Sequence, residues 1–96
     1  MARLEVAEAA VEDLEQMIFT HSLPSDTKAR VRRCTEALKQ FPLLGAALTG
    51  RWKGSRFLLG PWRWMVIVYA FLEEEDRVVI VTIQDGRSAA SPSASR

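Results

Sequence analysis

The stretch Arg56-Phe57-Leu58-Leu59-Gly60-Pro61-Trp62-Arg63-Trp64-Met65-Val66-Ile67-Val68-Tyr69-Ala70-Phe71 decides the fold. It reads as a strand, a tight turn at Gly60–Pro61, and a long second strand. Side chains alternate along a strand. Trp62, Trp64, Val66, Val68 and Ala70 therefore fall on one face, and Arg63, Met65, Ile67, Tyr69 and Phe71 on the other. A strand apolar on both faces is central and covered on both sides. Arg63 interrupts the pattern at the strand's start, with Arg56 on the facing strand. Cations beside a core strand cost desolvation unless they meet an anion or stay wet at its edge. The mouth of this hairpin is the first candidate site.

Beyond the hairpin, Glu73–Asp76 is an acidic turn. Arg77–Gln84 then alternates Val78, Ile80 and Thr82 against Val79, Val81 and Ile83, the mark of a third strand in an antiparallel meander. Before it, Ala46–Ser55 is a Gly-punctuated connection, and Phe41-Pro42-Leu43-Leu44-Gly45 closes a helix. That helix runs to about Gln40, with Val31, Cys34, Leu38 and Phe41 at helical spacing and Ser22 or Ser25 as its cap. Glu8–His21 is another amphipathic helix. Its stripe is Ala7, Val11, Leu14 and Ile18, with Ala10 and Met17 beside it. Arg3–Ala7 is a short strand.

The order is thus an N-terminal strand, an antiparallel helical hairpin and a three-stranded antiparallel meander (β-α-α-β-β-β). It forms an α+β layer with both helices on one sheet face. Met65, Ile67 and Tyr69 share a face with Phe71 and are expected under the helices, with Trp62 and Trp64 on the open face, where a partner segment or dimer mate docks. The opposite parity stays open, because both faces are apolar and a slip of one residue exchanges them. Residues 1–88 make a single domain and Ala89–Arg96, rich in Ala, Ser and Pro, a disordered tail.

Composition narrows the function class. A hydrophobic content of 48% and a charged content of 26% exclude a disordered or fibrous chain. No apolar run has the length of a membrane span, and the first ten residues lack the plan of a signal peptide, so the expectation is a cytoplasmic protein without a membrane partner. The single Cys34 excludes an internal disulfide. His21 has no second His or other Cys at ligand spacing, so no metal site is expected. No Gly-rich phosphate loop, Ser–His pairing or dinucleotide fingerprint is present, and no cofactor is expected.

The formal net charge of +1 hides a polarity along the chain. Six acids stand against Arg3 alone up to Thr27; from Lys28 to Arg63 nine bases stand against Glu36 alone. Such asymmetry points to an anionic partner on one side. Trp52, between Arg51 and Lys53, is the best placed of the three tryptophans to stack on a base.

The order of elements resembles the RelE/ParE toxin superfamily of bacterial type II toxin–antitoxin systems. So do Ala10-x-x-Asp13-Leu14, Phe41-Pro42-x-Leu44-Gly45, Arg56-x-x-x-Gly60-x-x-Arg63 and Arg87 after the last strand. The resemblance spans about Leu4 to Ser88. It implies a growth-inhibiting, plasmid-stabilising toxin that either cuts messenger RNA on the ribosome, as a ribosome-dependent endoribonuclease, or poisons DNA gyrase. It also implies a cognate antitoxin partner, in a toxin–antitoxin hetero-oligomer or beside a homodimer. Arg56, Arg63 and Arg87 match the cations that RNA-cutting members set on phosphate, and Arg51 and Lys53 match a basic loop entering the groove. Asp85 stands where many relatives have His, and only Ala, Ser, Pro and Arg follow Ser88 in place of the usual C-terminal Tyr or His. The expected catalytic set is Arg56, Arg63, Arg87 and Asp85, with Arg51, Trp52, Lys53, Trp62 and Trp64 binding nucleic acid or a partner. The alternative is a RelE/ParE-fold binding protein that has lost toxicity.

Overall fold

Met65–Leu72 (β4) is the middle strand of a five-stranded sheet in the computed structural model, which describes residues 1–87. The other strands are β1 (Arg3–Val6), β2 (Ala46–Ala47), β3 (Arg56–Leu59) and β5 (Arg77–Asp85), in the spatial order β1-β5-β4-β3-β2. Neighbours β2 to β5 are antiparallel, whereas β1 lies parallel to β5, Arg3 beside Arg77 and Val6 beside Ile80. The sequence pattern does not reveal β2, a two-residue edge strand within the Gly-punctuated connection. The expected tail lies outside the described residues.

Helices α1 (Glu8–Thr20) and α2 (Thr27–Thr35) cover one sheet face. Met65, Ile67 and Tyr69, all without solvent exposure, pack there against Ala10, Leu14, Met17, Val31 and Leu38. The buried line of α1 is Ala10–Leu14–Met17, rotated from the expected stripe, so that Val11 is exposed. The α-helical hydrogen bonding of α2 ends before Gln40. The Thr35 hydroxyl donates back to the carbonyls of Val31 and Arg32, and the chain tightens into a 3₁₀ turn at Glu36–Lys39. Phe41 leaves the helical stripe and is exposed. Cys34 is half-buried.

Two departures from strand parity matter. First, β4 begins at Met65 and not at Trp62. The Gly60 N–H donates to the Met65 carbonyl and the Met65 N–H to that of Trp62, so Pro61–Trp64 is a hairpin loop and the tryptophans escape the alternation. Second, β5 carries a bulge. Val68 pairs with Thr82 and Tyr69 with Ile80, which leaves Val81 as the extra residue. The bulge flips the face of everything after it. Val78 and Ile80 face the helices, and so does Ile83, paired with Ile67 in place of lying on the opposite face with Val79. The Asp13 carboxylate of α1 pins this point. It accepts the Thr82 hydroxyl at 2.5 Å and the Ile83 N–H at 3.2 Å, where β5 has run past the end of β1.

Candidate functional site

The bulge has a direct consequence for Asp85. Without it, Asp85 would share the face of Val79 and Val81; with it, Asp85 pairs with Met65 and lies on the helix side of the sheet. There the C-terminal end of α1 delivers His21. The His21 Nε2 lies 3.2 Å from Asp85 Oδ2, and Nδ1 lies 2.9 Å from the Thr20 hydroxyl, which is also placed to donate to the Gln16 carbonyl at 2.9 Å. Arg87 closes on the same carboxylate through Nε and Nη2 at 3.0 and 2.9 Å, and its backbone N–H donates to Oδ1 at 2.9 Å. The Arg87 guanidinium holds the Asp85 carboxyl well below the usual carboxylate range, helped by the Arg87 N–H and by His21. Asp85 is therefore an acceptor only.

The hairpin loop supplies an aromatic floor. The His21 ring lies nearly parallel to Trp64, centroids 4.8 Å apart at 14°, and Trp64 continues onto Trp62 at 6.1 Å and 21°. The Arg87 guanidinium carbon sits 4.8 Å from the Trp64 ring centre, and that of Arg30, from α2, 5.7 Å from that of Trp62. The Gly86 N–H donates to the Trp64 carbonyl at 2.5 Å, tying the loop to the end of β5. Cations over indole faces gain from the ring quadrupole. The result is a row of flat groups with a guanidinium near either end. Its side chains are open to solvent by 29% at His21, 24% at Asp85 and 62% at Arg87, enough for a ligand to reach them.

The expected site residues thus divide between two ends of the sheet. Trp62, Arg63, Trp64, Asp85 and Arg87 share the end just described, with Arg63 exposed in the loop. Arg56 lies at the other end of β3, opposite Tyr69, three residues or about 10 Å of strand from Leu59. Its guanidinium donates to the carbonyls of Gly45 at 2.7 Å and Leu43 at 3.3 Å. The Tyr69 hydroxyl completes this corner by donating to the Pro42 carbonyl at 2.7 Å and accepting the Gly45 N–H at 2.8 Å. Burial pushes the Tyr69 phenol up from its ordinary value. A Cβ on Gly45 would stand 2.5 Å from the Phe57 carbonyl oxygen and 2.8 Å from the Tyr69 ring, so only glycine lets the loop come this close. Arg51 and Trp52 lie in a 3₁₀ turn between β2 and β3, the guanidinium 5.9 Å from the neighbouring ring, with exposed Lys53 after them.

Sequence reasoning missed His21, Thr20 and Arg30 as members of the cluster. His21 and Asp85 are 64 positions apart, and no local pattern joins them. Elsewhere, a cavity of about 330 Å³ lies between α1 and α2 over β1 and β5, lined by Leu4, Val11, Leu14, Val31, Ile80 and Ile83, with Lys28, Arg32 and Lys39 around it. No group of three or more His, Cys, Asp or Glu among the described residues could hold a metal ion, and no helix among them is long and apolar enough to cross a membrane.

This two-layer arrangement, a five-stranded mixed sheet with two helices on one face, is the RelE fold. Chains of known structure share it at low sequence identity. One, in the RelBE2 toxin–antitoxin complex of Mycobacterium tuberculosis, is 22% identical, with a TM-score of 0.64 over 88% of this chain and 96% of its own. Another, in the intact RelBE toxin–antitoxin complex of E. coli, is 13% identical with a TM-score of 0.67 over 88% and 96%. A conserved hypothetical protein from Helicobacter pylori is 15% identical with a TM-score of 0.60 over 92% and 98%. No protein-family model matches the chain, and no curated protein matches it in sequence.

Proposed function

We propose that this chain is the toxin of a type II toxin–antitoxin pair that acts in the cytoplasm on translation, cutting messenger RNA on the ribosome. The observation that carries the proposal is the cluster at the end of β5. It sets an imidazole, an ionised carboxylate and an exposed guanidinium around stacked tryptophans. Single-stranded RNA is held by stacking of its bases on such rings and by cations on its phosphates, and strand cleavage needs a proton acceptor beside the phosphate. The fold is shared with chains from two toxin–antitoxin complexes, which supports the toxin role and an antitoxin partner. The apolar groove between the helices, bordered by Lys28, Arg32 and Lys39, suits an acidic amphipathic antitoxin segment.

One observation favours a second reading, a toxin that binds gyrase and cuts nothing. Arg56, which the family resemblance places on phosphate, is bound to loop carbonyls here. Induced expression separates the two. On the first reading growth stops, protein synthesis falls at once and DNA synthesis follows later; an early loss of DNA synthesis supports the second. Continued growth with abundant, folded protein overturns both and leaves the non-toxic binding protein.

A further inference from the structure

We propose that His21 is the general base of this chain's RNA cleavage, with Asp85 and Thr20 as its positioning residues. The inference rests on the nuclease reading above. Its starting point is the pair of contacts made by the ring. Nε2 faces Asp85, a carboxylate without a proton to give, so Nε2 carries hydrogen in every state of the ring that this contact stabilises. That fixes Nδ1 as the nitrogen that gains and loses a proton. Nδ1 faces the Thr20 hydroxyl, whose own hydrogen has two places to go, Nδ1 itself or the Gln16 carbonyl. With the ring neutral, the hydroxyl donates to Nδ1. With the ring cationic, Nδ1–H donates to the hydroxyl oxygen and the hydroxyl turns to Gln16. A rotation about one bond thus satisfies both states, and neither leaves a polar atom unpaired.

The surroundings suit the same role. Asp85 balances the imidazolium, the Trp64 face stabilises a flat cation, and Arg87 and Asp85 are the charged groups about the ring, with Arg30 one ring farther along over Trp62. Arg87 binds Asp85 through Nε and Nη2, which leaves Nη1 outside the pair for a phosphate oxygen. In the reaction, a ribose 2′-hydroxyl displaces Thr20 from Nδ1 and gives its proton to the ring. The 2′-oxygen forms a bond to the adjacent phosphorus as the P–O5′ bond breaks. The leaving O5′ takes its electron pair and a proton from water, and the hydroxide so formed removes the proton from the imidazolium. The ends are a 2′,3′-cyclic phosphate and a 5′-hydroxyl. Nothing else in the described residues places a histidine beside a phosphate-binding cation, since His21 is the chain's single histidine.

The test uses the purified chain with ribosomes carrying a defined messenger RNA, scoring cut sites and cyclic-phosphate ends. His21→Ala should lower the cleavage rate by about 10²- to 10⁴-fold, the span of a lost general base, at unchanged melting temperature. Added imidazole should restore part of the rate, which a merely structural histidine would not allow. His21→Gln serves as a second variant should the alanine unfold. Thr20→Val should lower kcat by less and leave KM unchanged. Cleavage by folded His21→Ala at about the wild-type rate, or a loss that imidazole does not mend, overturns the assignment while the nuclease reading stands. Intact RNA with the wild-type chain, alongside arrested growth on expression, overturns the nuclease reading and the assignment with it.

Discussion

The two ends of β3 hold the same kinds of side chain and use them oppositely. At one end Arg56 and Tyr69 bind the backbone of the Pro42–Gly45 loop, the guanidinium through the Leu43 and Gly45 carbonyls and the phenol hydroxyl through the Pro42 carbonyl and Gly45 N–H. At the other, Arg87, Asp85 and His21 bind one another and are open to solvent, over a tryptophan floor. A group bound to a carbonyl that would otherwise be orphaned is structural, because removing it leaves the carbonyl without a partner. Groups bound to each other exchange those partners for a ligand at smaller cost. The rule sorts the arginines by what they touch.

Substitutions can break that contrast, and the largest effect is expected from the strand behind both ends. Ile67 has no exposure, and Ile67→Ala should cost about 2–5 kcal/mol in chemical denaturation. Arg56→Ala should cost about 1.5–3 kcal/mol, the worth of charge-assisted bonds to the two loop carbonyls, whereas Arg63→Ala in the exposed loop should leave melting unchanged. Equal melting of Arg56→Ala and wild type would abolish the distinction between the ends. Tyr69→Phe should cost about 1–3 kcal/mol, since it orphans the Gly45 N–H and the Pro42 carbonyl. Asp13→Ala should cost a similar amount, about 1–3 kcal/mol, and should also lower any activity at the far end by loosening the bulge; hydrogen exchange at the Ile83 amide would report it.

The smallest effect is a pH dependence. Asp85 has a folded pKa lowered by Arg87, so its contribution to stability is present above the unfolded value near 3.8 and is lost as pH falls through the folded value. Wild type and Asp85→Asn should therefore differ in melting temperature at neutral pH, with the gap starting to narrow below about pH 4 and closing only as pH falls through the lower folded value. A gap that does not narrow at all between about pH 5 and about pH 2 would mean that the carboxylate's charge is not what ties this end together.

The sheet was readable in the sequence wherever the pattern was local. Met65–Phe71 and Val78–Ile83 announce strands by their branched apolar residues, and parity groups Met65, Ile67 and Tyr69 on one face of β4. That the helices cover this face rather than the equally apolar other one is decided by the packing. Parity fails where one residue is added without a sequence mark. Val81 resembles its neighbours, yet it is the bulge, and it turns Ile83 and Asp85 to the helix side. The start of β4 at Met65 is hidden for a related reason. Trp62 and Trp64 continue the alternation, but Pro61 has no N–H and the chain closes a wider loop. Thr35 ends α2 early through its own hydroxyl, a local competition that apolar spacing does not reveal. The candidate site was half visible. Asp85, Arg87 and the tryptophans stood out, whereas His21 depended on a bulge and a helix end meeting in space.

The parallel pairing of β1 with β5 bears on how the chain assembles. Arg3 meets Arg77, so the first strand made can find its place only when nearly all of the described chain exists. Helices and the β3–β4 hairpin close over short separations and form early, while a contact of this span carries the larger loop-closure cost and comes late. Asp85 and Arg87 end the very strand that β1 awaits, just beyond the bulge that Asp13 holds. The pairing of β1 and the meeting of His21 with Asp85, 64 positions apart, both wait for β5, so a chain stalled before that strand is made presents neither.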